Sequence, residues 1–332
     1  MKNFAIWILL TFSHLLFAVP ENELPQLWDQ EITPHFNDYN HEFMTNAQGL
    51  RVSHYYKTDH RNSKTLVIVP GRTESSIKYA ELLYDLRHQG FDIFIIDHQG
   101  QGFSDRRLRD PHKGYVRFFN HYVDDMNQWM NEVVLPRSEG KDLFLLAHSM
   151  GGAIATHYLA QNQNVFKKVV LSAPMLQINT TPYSETVAKL FSRLLITLRK
   201  ATGYTPGHGP YLPEEDTFEN NTNTHSVARF STRKNLWDDF PELIVNAPTV
   251  RWTHEALKAT RNIHLKADRI KTPILMFQAG KDQTVMPQRQ NQFCQRATNC
   301  KLSFFAESLH EPLMEVDEIR NQAVKELIHF LR

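Results

Sequence analysis

Short apolar runs recur along the chain, each closed by a turn of small or polar residues. Residues 66–69 stop at Pro70-Gly71, 91–96 at Asp97, and 143–147 at His148-Ser149. Residues 169–171 stop at Ser172-Ala173-Pro174, 274–277 at Gln278-Ala279-Gly280, and 302–305 at Ala306-Glu307-Ser308. The runs are continuous, not alternating, which predicts strands buried on both faces, as in a parallel sheet. Helical spacing fills the intervals at 77–88 (Ala80, Leu83, Leu86), 118–134 and 151–161. Strand and helix in alternation predict a mostly parallel α/β sheet covered on both sides, with right-handed crossovers. A hairpin is expected before it, 42–45 and 50–57 around Asn46-Ala47-Gln48-Gly49.

The alternation breaks between Pro174 and Asp268. Here lie Pro206-Gly207-His208-Gly209-Pro210 and one amphipathic signal, with Val187, Leu190, Phe191, Leu194, Leu195 and Leu198 at helical spacing. The expected organisation is a core of 40–174 and 268–332 with a cap inserted at 175–267. The apolar stripe is expected to pack on the main domain or to wall an acyl-chain groove.

At the N-terminus, Lys2 precedes a stretch, 4–19, without formal charge and rich in Ile, Leu, Phe and Trp. It is shorter than the ~18 or more apolar residues of a spanning helix. Leu16-Phe17-Ala18 sets a small residue before a cleavage point, and Glu21-Asn22-Glu23 follows. Residues 1–19 therefore read as a signal peptide, with an uncleaved membrane anchor or a buried helix as rivals; His14 interrupts the run. The expected location is exported (periplasmic or secreted) or membrane-associated. The only cysteines are Cys294 and Cys300. They form a small-loop disulfide if the chain is exported and are otherwise ordinary thiols.

Composition narrows the picture. With 332 residues, 41% of them hydrophobic, the chain suits a catalytic domain carrying an insertion. Lys+Arg at 37 against Asp+Glu at 36 leaves a net charge of +1, without the basic field that nucleic-acid binding needs. A small, neutral or amphiphilic substrate fits better.

The chemistry centres on Ala147-His148-Ser149-Met150-Gly151, where a buried strand meets a helix. A serine at the apex of so sharp a turn needs small residues two positions away on each side, and Ala147 and Gly151 supply them. A serine hydroxyl needs a base, and the base an orienting acid, in the chain order Ser, Asp, His for this topology. Asp282 and His310 each follow a predicted strand, at the carboxyl end where ligands bind in open α/β sheets. Asp268 lies at the wrong end of its strand. His148 should point away from the Ser149 hydroxyl and is a structural neighbour; His329, in a terminal helix, is a weaker rival. Two oxyanion donors are expected, the backbone N–H of Met150 and that of Arg72; Pro70 has no N–H. The side chains of Arg72, Arg106, Arg107 and Arg109 are either phosphate partners or solvated charges. The pattern is that of the α/β-hydrolase fold.

Further motifs carry a family likeness: Pro70-Gly71-Arg72-Thr73-Glu74-Ser75, Lys78-Tyr79-Ala80-Glu81-Leu82, Asp97-His98-Gln99-Gly100-Gln101-Gly102, Gly280-Lys281-Asp282 and His310-Glu311. From about Phe43 to Arg332 the chain resembles bacterial lysophospholipases of the monoacylglycerol-lipase-like branch of the α/β-hydrolase superfamily. Gln99 stands where that family more often has Arg, and Ala147 where it has Gly. The resemblance implies the triad Ser149, Asp282 and His310, with no metal or cofactor. It also implies lysophospholipid hydrolysis through an acyl-enzyme, with acyl transfer to another lipid as a further activity. Monoacylglycerol lipase or general carboxylesterase is the alternative on the same triad. A peptidase shares the fold, and a catalytically dead binding protein is the remaining reading. The implied partners are a lysophospholipid or monoacylglycerol and a membrane surface.

Overall fold

The computed structural model describes residues 18–332, and the expected leader lies mostly outside them. The predicted strands form one eight-stranded sheet in the order β1-β2-β4-β3-β5-β6-β7-β8. β1 (Asn40–Thr45) and β2 (Arg51–Lys57) are the hairpin, and β2 pairs antiparallel with β4 (Phe91–Ile96). β3 (Lys64–Val69), β4, β5 (Asp142–His148), β6 (Lys168–Ser172), β7 (Ile274–Ala279) and β8 (Cys300–Phe305) run parallel.

Successive residues on each central strand enter different cores, the period-two consequence of burying both faces. Val67, Val69, Leu145, Ala147 and Met276 pack with Met126, Trp129 and Ile154 on one side. Leu66, Ile68, Leu146, Leu275 and Phe277 pack with Leu83, Leu86, Val324 and Leu327 on the other. The expected helices stand at Ala80–Leu86, Asn120–Trp129 and Met150–Leu159, and a further one, Asp317–Leu331, closes the chain. Residues 20–39, to which the hydrophobic pattern assigned nothing, hold short helices that bury Leu24, Ile32 and Phe36 in the second core.

In register, Val69 lies opposite Ala147, His148 opposite Ser172 and Ala279 opposite Phe305. The loops after β3, β5, β6, β7 and β8 therefore converge on one edge of the sheet. Between β6 and β7 stand helices Glu185–Thr197, Val227–Asp239 and Val250–Thr260, capped by Ser184, Ser226 and Thr249, each accepting the N–H three residues on. Only the first had an apolar signature. Much of its stripe faces outward: Val187, Leu190, Phe191, Leu194 and Leu198 are about half or more exposed, and Leu190 lines a groove with Arg261, Asn262 and Arg289. Its inward contact is polar instead, Ser192 Oγ to His254 Nδ1 at 3.0 Å. Among the described residues, no helix is long and apolar enough to cross a membrane. Cys294 and Cys300 are disulfide-bonded, their Cα atoms 5.1 Å apart.

Candidate active site

The turn after β5 is as sharp as its residues suggested. Ser149 has φ 49° and ψ −117°, outside the regions an L-residue prefers. Two backbone bonds to the end of β6 hold it there: Ser149 N–H donates to Ser172 O at 3.0 Å, and Met175 N–H donates to Ser149 O at 2.8 Å. Gly151 must lack a side chain, since a Cβ there would lie 2.1 Å from Val69 O and 2.4 Å from Pro70 O. Gly152 is equally constrained, with a Cβ only 2.6 Å from Pro174 Cβ.

The loops after β7 and β8 bring Asp282 and His310 to this turn. His310 Nε2 lies 2.8 Å from Ser149 Oγ, and His310 Nδ1 lies 2.7 Å from Asp282 Oδ2. Asp282 Oδ1 accepts N–H bonds from Thr284 at 2.7 Å and Val285 at 3.0 Å. Burial alone would raise the Asp282 pKa; the His310 hydrogen bond and charge, with those amides, pull it below the usual carboxylate value. Asp268 is exposed near Arg296, and His329 is exposed on the last helix, so neither reaches the site. His148 leans away from Ser149: its Nδ1 meets Ser172 O at 3.1 Å and its ring centroid lies 5.0 Å from that of His310.

Met150 opens a helix, where the first N–H groups have no intrahelical acceptor. The turn after β3 stands beside it. There the Gly71 N–H donates to Glu74 Oε2, while the Arg72 N–H meets no acceptor among the described residues. The Asp97–Gly102 motif braces this turn from below. His98 Nε2 bonds Pro70 O at 3.0 Å, and Gln101 Nε2 donates to Gly71 O at 2.6 Å and Glu74 O at 2.9 Å. Burial lowers the His98 pKa to about 4, so this ring is neutral.

Sequence reading missed the buried group behind that turn. Glu74 accepts from Tyr79 Oη at 2.7 Å, and Lys78 Nζ lies 2.7 Å from Glu74 and 2.8 Å from Glu311. Burial disfavours the Lys78 charge, but Glu311 and Glu74 together outweigh it and raise its pKa. Glu74, His148 and Glu311 have ligand atoms within 4.8 Å of one another, in the manner of a metal site. The Lys78 ammonium already bridges both carboxylates, which makes the cluster an ion-pair network. Its signal was the motif Glu74-x-x-x-Lys78, an i,i+4 pair.

Two of the arginines are committed to protein. Arg72 Nη1 donates to Asn246 O at 2.6 Å and its guanidinium lies 5.2 Å from the Trp252 ring centroid, while burial lowers its pKa to about 10. Arg106 donates to the carbonyls of Ser104, Gly102 and Glu242. Arg107 and Arg109 are exposed. Gln99, in place of the expected Arg, donates to Asp125 Oδ2 at 2.6 Å.

The family model described as "Serine aminopeptidase, S33" matches residues 60–317. The chain is 35% identical over 284 residues to lysophospholipase L2 of Escherichia coli strain K12, covering 83% of this chain and 82% of that protein. It is 31% identical over 307 residues to a probable lysophospholipase L2 of Haemophilus influenzae, covering 91% of this chain and 95% of that one. In fold it is similar to a soluble variant of monoglyceride lipase from Saccharomyces cerevisiae, with TM-score 0.70 at 15% identity, covering 88% of this chain and 94% of that chain. With a serine elbow, a mostly parallel sheet and these relatives, the chain belongs to the serine aminopeptidase S33 family of α/β-hydrolases and is a serine ester hydrolase.

Proposed function

We propose that this protein is a lysophospholipase in which Ser149, His310 and Asp282 act as a catalytic triad. The observation that carries the reading is the unbroken relay from Ser149 Oγ to His310 at 2.8 Å and from His310 to Asp282 at 2.7 Å. His310 takes the serine proton as Oγ attacks the acyl carbonyl, and Asp282 stabilises the imidazolium. The N–H groups of Met150 and Arg72 receive the developing oxyanion. Collapse expels the glycerophospho-alcohol with a proton from His310, and water then releases the fatty acid by the same steps in reverse.

One cavity supports headgroup binding. Beside the oxyanion turn a cavity of about 310 Å³ is lined by Arg72, Lys78, Asn221, Asn223, Arg233 and Glu311. Lys78 is paired with Glu74 and Glu311 and Arg233 with Asp216, while Arg72 donates to the Asn246 carbonyl, so three cations stand against three carboxylates. That neutrality supports a second reading, a monoacylglycerol lipase whose substrate carries no phosphate. The segment 175–267 acts as a cap, and its exposed stripe, with Lys189, Arg193, Arg199 and Lys200 on the same segment, supports docking on a lipid surface. The charged leader, the apolar run and the Cys294–Cys300 disulfide support export.

Fatty-acid release from lysophosphatidylcholine, lysophosphatidylethanolamine and monoacylglycerol, with Ser149→Ala as control, tests the assignment. Ser149-dependent release is expected to be fastest from the lysophospholipids. Faster release from monoacylglycerol selects the second reading, and none from any of the three overturns both.

A further inference from the structure

Val19 directly follows Ala18, the small residue before the expected cleavage point, yet it is only 4% exposed. Its backbone N lies 2.9 Å from Asp85 Oδ1, and its carbonyl accepts from Arg229 Nη2 at 3.0 Å. Two residues on, Glu21 N–H donates to Asp317 Oδ2 at 2.9 Å, and Glu21 Oε1 accepts from Ser226 Oγ at 2.7 Å. Residues 19–21 are thus held by helix Ala80–Leu86, by helix Val227–Asp239 with its cap Ser226, and by the last helix.

The charges around this point do not balance. Arg229 lies 2.9 Å from Glu81, 2.9 Å from Asp317 and 3.9 Å from Glu21. Arg320 lies 2.7 Å from Asp85 and 3.2 Å from Glu81. Glu21, Glu81, Asp85 and Asp317 therefore share only Arg229 and Arg320 among the described residues. Glu81 and Asp85 are buried and Glu21 and Asp317 partly so, four carboxylates around two guanidiniums, and one further positive charge against buried Asp85 would be stabilising.

We propose that the chain is cut between Ala18 and Val19, and that the Val19 α-ammonium so created pairs with Asp85 as a third cation of the buried network. Hydrolysis of that peptide bond, by a leader peptidase, consumes one water. It leaves a carboxylate on Ala18 and an amine on Val19, which takes up a proton. The cut precedes folding, so the burial of Ala18 does not obstruct it. The atom that donates to Asp85 is the same before and after cleavage, but only afterwards does it carry a full charge. The inference rests on the export reading and is independent of the substrate.

The test begins with the full chain, expressed with export; intact mass and N-terminal sequencing are expected to find Val19 first. The mature protein is then compared with one carrying Gly-Ser before Val19. The extension is expected to lower Tm by at least about 3 °C, and to cost almost nothing further in an Asp85→Asn background. Acylation of the α-amine at pH 7 is expected to be at least about tenfold slower in native than in urea-unfolded mature protein. A retained leader, or a cut elsewhere, overturns the proposal together with the export reading. A Val19 terminus whose extension leaves Tm unchanged, and whose amine acylates equally fast in both states, overturns the ion pair and leaves export standing. Should Asp85→Asn fail to fold, the acylation rates alone decide the pairing.

Discussion

Lys78 Nζ lies 2.8 Å from Glu311 Oε1, so one ammonium ties the turn after β3 to the residue directly after His310. Its other contact, Glu74, accepts the Gly71 N–H. Lys78→Met would strand both carboxylates. Breaking such a buried pair costs on the order of 3–5 kcal/mol. A lower Tm is expected, together with a fall in kcat larger than any change in KM, measured by thermal melts and ester-hydrolysis kinetics. Burial alone would raise the Glu74 pKa, while Lys78 and His148 hold it low. The stability that Glu74 contributes is therefore present above its unfolded pKa and lost as pH falls below about 4.5. The Tm gap between wild type and variant should narrow on acidification.

Ser149→Ala and Asp282→Asn separate chemistry from folding. The first removes the nucleophile and should lower kcat by more than about 1000-fold. The second keeps the hydrogen bond to His310 but stabilises the wrong tautomer, for which about 10⁴-fold is expected. Circular dichroism should show both folded, and a variant that retains most of its activity would remove that residue from the triad.

Gly151→Ala sets a methyl 2.1 Å from Val69 O, a contact relieved only by moving β3 or the elbow. Overpacking of this kind costs about 1–3 kcal/mol. Loss of activity is expected with a lowered Tm, because the displaced strand end also carries the turn proposed to receive the oxyanion.

Asp125 offers a pH test that does not involve the triad residues. Burial raises its pKa to about 6, against the opposing hydrogen bonds from Gln99 and Asn46. With the folded value above the unfolded one, stability is lost as pH rises from about 4 to 6. Asp125→Asn should flatten that decline, and Gln99→Arg should reverse it by supplying a cation. Melting temperatures between pH 4 and 8 measure both.

If the exposed stripe meets lipid, Leu190→Ser with Leu194→Ser should weaken cosedimentation with phospholipid vesicles by about tenfold or more. Hydrolysis of a short, soluble ester should be unchanged. Equal vesicle binding would remove the stripe from the docking surface.

Much of this was legible because strand, turn and chemistry coincide locally. A buried run ending at Ser149, Asp97 or Gly280 declares both the strand and the loop that follows it. Helix Val227–Asp239 was hidden because its apolar positions are sparse, although its cap Ser226 stood in plain sight. Arg229 with Glu81 and Lys78 with Glu311 were hidden for another reason: 148 and 233 residues separate the partners. No local periodicity encodes which distant charge will fill a buried vacancy. The stripe of helix Glu185–Thr197 was legible as a face, but spacing specifies a face without specifying what the face meets.

Arg72 has a place in two structures at once. Its backbone belongs to the turn after β3, where its N–H stands free, while its guanidinium grips Asn246 O and lies beside Trp252 in the segment above. A tether of this kind couples the two parts. Displacement of the upper segment would drag on the turn proposed to receive the oxyanion, so catalytic competence and the posture of the segment above would form a single mechanical variable.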